Sequence, residues 1–270
     1  MKSPQLNAQN IETSPRVDVN LLGRRITFMT VESIVAAIAS ACFESEKIIV
    51  ANYNVHSFNL SLQLPWFYSF LQDADIVHCD GMGILKAAHF MGADLPIEYR
   101  ASYTILMPKL LEYCDRNNRS VFLLGSKPEY LQAALTQMQK QYANIKFAGH
   151  HGYFHKEDAD QNEEIIQQIN SLKPHILIVG MGMPIQEHWI YQHCDQLKVN
   201  VIMLGGAVID RLAGEVSDCP KVLSNMGFEW LYRLCKEPKR LAVRYLIGNP
   251  AFILQVLLHK FTTFSTNMQN

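Results

Sequence analysis

Five short apolar runs in this chain each stop at glycine or at a small polar side chain, and a stretch with helical spacing follows each stop. They are Ile48-Ile49-Val50 before Asn52-Tyr53-Asn54, Ile76-Val77-His78-Cys79 before Asp80-Gly81-Met82-Gly83, Val121-Phe122-Leu123-Leu124 before Gly125-Ser126, Ile176-Leu177-Ile178-Val179 before Gly180-Met181-Gly182, and Val201-Ile202-Met203-Leu204 before Gly205-Gly206. Buried strands alternating with helices in this way predict an α/β fold, a Rossmann-like parallel sheet with helices on both faces. Ligands of such sheets bind at the carboxyl ends of the strands. Asn52, Asn54 and Asp80 are therefore expected on one rim.

At 270 residues the chain is long enough for a full core, and an apolar fraction of 49% with 18% charged residues describes an ordinary globular protein. A net charge of -1 gives no reason to expect nucleic acid as a partner. The six cysteines lack CxxC spacing, which argues against a disulfide framework or a zinc site. Residues 1 to about 20, rich in Ser, Asn, Gln and Pro, read as a disordered leader without the apolar centre of a signal peptide. Residues 21–227 read as the catalytic domain and 228–270 as a helical appendage. One helix is expected over 61–72, and the aperiodic stretch from Gly92 to Arg100 reads as a mobile loop carrying Arg100 to the rim. No run reaches the roughly 18 apolar residues needed to span a bilayer, and the closing run over 251–258 is shorter still.

The candidate chemistry has a plain alternative at each position. Asp80 is either a general base or the N-cap of the next helix. With Asn52, Asn54 and Arg100 beside it, the set supplies a base, partners for sugar hydroxyls and a phosphate clamp. Gly125, Gly182 and Gly206 let backbone amides approach a phosphate, yet none belongs to a complete GxGxxG or GxxxxGK[ST] motif, which disfavours NAD and ATP enzymes. Gln186 and Glu187, one turn into a helix, are either ligand-binding or solvated. Asp210 either receives a ribose or base or serves helix-start electrostatics. His150, His151, His155, His188 and His193 lack a completing carboxylate, so no metal is expected. Cys79 reads as a small buried residue.

From Phe228 onwards, Arg233, Lys239, Arg240 and Arg244 alternate with Trp, Tyr and aliphatic residues at helical spacing, and Pro238 divides the stretch into two helices. Such a segment either lies on anionic lipid or packs against protein.

The blocks 51–54, 80–83, 124–128, 180–187, 205–214 and 229–234, with Glu237-Pro238-Lys239-Arg240 and Gly248-Asn249-Pro250, give the chain a resemblance to the WecG/TagA/CpsF glycosyltransferase family (glycosyltransferase family 26). The resemblance implies an inverting transferase without metal or cofactor. It would move a hexose of the N-acetylmannosamine type, or a related hexose or uronic acid, from a UDP-sugar to a polyprenyl-diphosphate-linked saccharide in cell-surface polysaccharide synthesis. It further implies Asp80 as catalytic base, Asn54 as a substrate contact, Gln186 and Arg100 in the active site, and Asp210 near the nucleotide. Arg233, Arg240 and Arg244 would serve the lipid diphosphate at the cytoplasmic face of the membrane, where the enzyme is peripheral. Asn52 stands where the family usually has Thr or another small polar residue, and the interval from Asp80 to Arg100 is two residues longer than usual. Homo-oligomerisation is left open, and the alternative in another class is a non-catalytic UDP-sugar sensor whose basic tail binds a partner.

Overall fold

The computed structural model describes residues 14–267. Its centre is an eight-stranded sheet built from β1 (Val17–Leu21), β2 (Arg24–Phe28), β3 (Ile48–Tyr53), β4 (Ile76–Cys79), β5 (Val121–Gly125), β6 (Phe147–His150), β7 (Ile176–Gly180) and β8 (Val201–Leu204), in the order β1-β2-β4-β3-β8-β7-β5-β6. Every pairing is parallel except that of β1 with β2. Successive strand residues point to opposite faces. On β7, Leu177 and Val179 enter one core and Ile176 and Ile178 the other. Both faces are thus covered, which is why these strands are apolar throughout rather than alternating.

One face carries α2 (Val55–Gln63), α3 (Pro65–Asp73), α4 (Met82–Phe90), α7 (Ala159–Leu172) and α8 (Ile185–His193), through residues such as Phe58, Phe67, Ile84, Ile165 and Trp189. The other carries α1 (Val31–Glu44), α5 (Tyr103–Arg116), α6 (Pro128–Gln141) and α9 (Val208–Leu212), through Ile34, Leu110, Leu131 and Ile209. Thr30 caps α1 by accepting from the Ser33 amide, as its position before the periodic run suggests.

Three local expectations change. The polar leader was expected to reach residue 20, but β1 begins at Val17. Leu22 (φ 50°) and Gly23 (φ 80°) form a two-residue turn that returns the chain into β2, and the Asn20 side chain accepts from the Gly23 amide at 2.7 Å. Residues 1–13 of the expected leader lie outside the described residues. The single helix over 61–72 is two helices, because Pro65 cannot continue α2 and instead opens α3 at its first turn. The stretch before Arg100 is anchored: Leu95, Tyr99 and Arg100 are buried, a 3-10 turn spans Ile97–Tyr99, and the Tyr99 hydroxyl donates to the Pro15 carbonyl at 3.0 Å.

After α9 come α10 (Lys221–Met226), α11 (Glu229–Lys236), α12 (Pro238–Ala242) and α13 (Gly248–Asn267), with a π turn over Val243–Ile247 joining the last two. Pro238 does separate α11 from α12. From there the helix is continuous over Pro238–Thr262, long and apolar enough by length and composition to cross a membrane, because the closing run over 251–258 extends a helix that begins at Pro238. The π turn keeps the backbone helical where the sequence pattern looks broken. The long helix nevertheless lies against the body of the fold: Leu241, Tyr245, Phe252 and Val256 are buried, the Phe252 ring meets Phe58 edge-on at 5.0 Å, and Asn59 Nδ2 donates to the Gly248 carbonyl at 2.8 Å.

Candidate active site

β3 and β4 run in parallel with Asn52 beside His78 and Tyr53 beside Cys79, so Asp80 emerges next to Asn54 at the carboxyl edge. The Asp80 amide donates to the Tyr53 carbonyl at 2.8 Å, which prolongs the ladder by one bond. Gly81 then turns the chain at φ 113°, a conformation strained for any residue with a Cβ, and takes the cap position of α4. No side chain caps that helix. The capping alternative for Asp80 therefore falls, while Asn54 turns out to be a cap: its Oδ1 accepts from the amides of His56 (2.9 Å) and Ser57 (3.0 Å).

Asp80 is held by amides. Asn52 Nδ2 donates to its Oδ2 at 3.2 Å, the Asn54 side chain lies close enough to lower its pKa, and Asn52 Oδ1 shares the single Tyr103 hydroxyl proton with the Leu204 carbonyl. Burial raises the Asp80 carboxyl to about 6, and the nearby charge of Glu229 pushes the same way. Arg233, the Asn54 side chain and Arg211 pull it down. A carboxyl poised there is ionised at neutral pH and basic enough to take a proton from a hydroxyl.

Two cavities meet at this group, and a third adjoins the second. One of about 470 Å³ runs from Asp80 between α4 and α13, with an apolar far end formed by Ala87, Phe90, Phe252, Ile253, Val256 and Leu257. A second, of about 460 Å³, shares Asp80 and Asn54 with the first and is rimmed by Arg211, Arg233, Arg240 and Arg244. The third, about 1150 Å³, lies beyond Gly182 and Gly206 and is lined by Ser126, Lys127, Tyr153, Lys156 and Asp210. Arg233 lines all three, and the Nε atoms of Arg233 and Arg244 are buried without a hydrogen-bond partner. Among the described residues no group of three or more His, Cys, Asp or Glu side chains comes together to hold a metal ion.

The sequence profile of the glycosyl transferase WecG/TagA/CpsF family matches residues 19–266. The chain belongs to this family. Relatives from Staphylococcus aureus strains MW2, NCTC 8325 and COL are each 31% identical over 234 residues, covering 85% of this chain and 89% of theirs. Each is described as an N-acetylglucosaminyldiphosphoundecaprenol N-acetyl-beta-D-mannosaminyltransferase. Membership of the WecG/TagA/CpsF family makes this a glycosyltransferase and sets the chemistry that its rim must serve.

Several residues singled out in the sequence are engaged by contacts within the fold of this family member. Gln186 and Glu187 are fully buried and line none of the three cavities. Gln186 Oε1 accepts from the amides of Gly182 (3.2 Å) and Gly206 (3.1 Å), and its Nε2 donates to Glu187 at 2.9 Å. Those two glycine amides, expected to meet phosphate, are already satisfied. The glycines line the second and third cavities as backbone, braced together by one side chain. Gly125 lies outside the cavities; a Cβ there would come within 2.3 Å of the Gly180 carbonyl oxygen, so its role is to let β5 and β7 close up at their ends. Burial pushes the Glu187 carboxyl up to about 7, against the Gln186 hydrogen bond. Asp210 accepts from the Ser126 hydroxyl and does face the third cavity.

Arg100 reaches the first cavity with both terminal nitrogens engaged: NH1 donates to the Ser224 carbonyl (2.8 Å) and hydroxyl (3.0 Å), and NH2 to Asn225 Oδ1 at 2.8 Å, while its buried Nε lacks a hydrogen-bond partner. It fastens α10 to the domain. In the tail, Arg240 pairs with Glu237 at 2.6 Å, Arg244 lies beside Tyr245, and Lys239 is exposed away from the cavities. Sequence reasoning assigned no role to Tyr103, nor to Arg211 within the matched block 205–214. Nor did it assign one to Glu229 or Ser224: Ser224 meets Arg100 across 124 residues, and Glu229 comes to the cavities that Asp80 lines only through the packing of α10 and α11.

Proposed function

We propose that this glycosyltransferase moves an N-acetylmannosamine-type hexose from a UDP donor to a polyprenyl-diphosphate-linked saccharide, inverting the anomeric carbon in one displacement. The observation that carries the reading is the position of Asp80, a carboxyl of raised pKa at the seam between an apolar cavity and an arginine-rimmed one. An acceptor hydroxyl at that seam gives its proton to Asp80 as its oxygen bonds to the donor's anomeric carbon. The bond to UDP breaks on the opposite face. Arg233, Arg240 and Arg244 stabilise the departing diphosphate, with the unpartnered Nε atoms of Arg233 and Arg244 available to phosphate oxygens. The third cavity takes the nucleotide, with Asp210 and the Gly182 and Gly206 turns along its wall, and Asn54 and Asn52 fix the base. Arg100, Gln186 and Glu187 act here by holding those elements in place. The relatives' descriptions name a diphosphoundecaprenol acceptor, and the apolar end of the first cavity suits an isoprenoid chain.

The tail docks the enzyme peripherally on the cytoplasmic face of the membrane. Leu241, Tyr245, Phe252 and Val256 bind the long helix to the domain along one stripe, while Leu246, Ile247, Ile253, Leu254 and Leu258 are exposed on the remainder. A helix fixed along its length on one face and apolar on the other fits the interfacial plane better than a span. The test is a panel of UDP-sugars against a short-chain polyprenyl-diphosphate-GlcNAc analogue. UDP-N-acetylmannosamine is expected to give inverted product, and Asp80→Asn to keep UDP binding in calorimetry but lose turnover. UDP binding without transfer from any donor would favour a sensor and reject the reading.

A further inference from the structure

Glu229 is the second carboxylate at the seam. It lines both cavities that Asp80 lines and, like Asp80, does not line the third. Its placement is built: Arg100 NH1 donates to Ser224 Oγ at 3.0 Å, Ser224 Oγ donates to Glu229 Oε2 at 3.0 Å, and Arg211 NH2 stands 3.9 Å from Oε1. Buried Arg100, in the loop after α4, thus reaches through α10 to fix the direction of a side chain on α11.

We propose that Glu229 is an acceptor-recognition residue, accepting a hydrogen bond from a second hydroxyl of the sugar whose attacking hydroxyl faces Asp80. This rests on the functional reading above. The chemistry of the pair selects the ligand. A carboxylate only accepts hydrogen bonds when ionised, and it repels phosphate, so a neutral hydroxylated ring is the fitting neighbour and a diphosphate is not. Two acceptors lining one seam match neighbouring hydroxyls on a pyranose. The cationic partners of the diphosphates lie around them, on Arg233, Arg240 and Arg244. Arg100 and Ser224 are positioning residues in this scheme, since they act on the sugar only through Glu229.

Glu229 also shares the electrostatic field of the base. The groups around Asp80 are Tyr103 from α5, Arg211 from α9, Glu229 and Arg233 from α11, and Arg244 from the π turn, with Cys79 adjacent in the chain. His56 lines the same two cavities, held down to about 4 by its own burial and by Arg244, and so is neutral near pH 7; Lys86 lines the first. Of these only Glu229 pushes the Asp80 carboxyl up through its charge. Its removal should make Asp80 more acidic, an effect that a purely structural role would not produce.

The experiment compares the full wild-type chain with Glu229→Gln, Glu229→Asp and Ser224→Ala. Binding of the short-chain polyprenyl-diphosphate-GlcNAc analogue is measured by calorimetry, UDP binding in parallel, and the Asp80 carboxyl is titrated by carbon NMR without ligand. Glu229→Gln is expected to weaken the acceptor analogue at least tenfold, to leave UDP within twofold, and to lower the Asp80 midpoint. Glu229→Asp should restore the midpoint and part of the affinity. Ser224→Ala, which removes only the hydroxyl between Arg100 and Glu229, should weaken the acceptor less than Glu229→Gln and keep the midpoint near the wild-type value. An acceptor analogue that binds wild type and Glu229→Gln equally, or neither, overturns the proposal, as does an unmoved Asp80 midpoint. These readouts need no turnover, so a wild-type chain that binds the acceptor but transfers no sugar would refute the functional reading and leave Glu229 judged on its own.

Discussion

Asn52 donates to Asp80 Oδ2 at 3.2 Å while its own amide oxygen shares the Tyr103 hydroxyl proton with the Leu204 carbonyl, so a side chain on β3 links the carboxylate after β4 to helix α5 and the end of β8. Orientation of this carboxylate, the proposed base, therefore depends on three elements that meet only at the carboxyl edge of the sheet. A base fixed in this way does not have to be ordered as the substrate arrives.

The pH profile of transfer follows from the raised pKa. Asp80 must be ionised to accept a proton, so kcat/KM should fall on the acid side with a midpoint about 6. Asp80→Asn should abolish that limb and cost about 10²- to 10⁴-fold in kcat. A profile flat from pH 5 to 8 in the wild type would show that another group takes the proton.

Replacing Asn52 by Asp puts a second carboxyl where an amide now donates to Asp80. Two carboxylates in contact do not ionise together easily, so one proton is retained to higher pH. The acid limb of Asn52→Asp should move above that of the wild type, with activity at pH 7 reduced at least tenfold and partly recovered at pH 8.5. Steady-state rates over that range check it.

Glu187 is fully buried, and its carboxyl is raised from 4.5 to about 7. A raised carboxyl favours the folded state most when protonated. Its contribution is complete below about 4.5 in the unfolded range and is lost as pH rises through about 7. Glu187→Gln keeps the shape without the charge and should stabilise the protein at pH 8 by on the order of 1–3 kcal/mol. At pH 4.5 little change is expected. Urea melts at the two pH values provide the comparison.

Leu246 and Leu254 are exposed at 59% and 56% on the outer side of the long helix. Changing both to Glu should leave the melting temperature within a few degrees, because neither packs in the core. Sedimentation with vesicles containing anionic lipid should drop at least tenfold, since two apolar contacts are lost and two repulsive charges gained. Transfer to a soluble acceptor analogue should survive. Undiminished sedimentation would place membrane contact elsewhere on the surface.

Much of the scaffold could be read before any coordinates. Apolar runs ending in Asp80-Gly81, Gly125-Ser126 and Gly205-Gly206 locate strand ends because a strand buried on both faces has no polar positions until it leaves the sheet. The β1–β2 hairpin escaped notice because Leu22 is an uncommon residue at positive φ, so the turn carried none of the usual Asn-Gly signal. Gln186 was readable as important but not as a brace. Its partners, the amides of Gly182 and Gly206, belong to turns after two different strands.

The order of apolar runs and glycines in the sequence determined the layered sheet and the edge on which Asp80 stands, since strand burial and backbone freedom are local properties of residue type. Only the tertiary structure decided which polar groups on that edge remain open to a ligand. Gln186 claims two glycine amides, Ser224 and Asn225 claim the two terminal nitrogens of Arg100, and the Nε atoms of Arg100, Arg233 and Arg244 stay buried without a partner. A hydrogen-bonding group satisfies whichever neighbour the fold brings within about 3 Å, and no spacing along the chain records who that neighbour is.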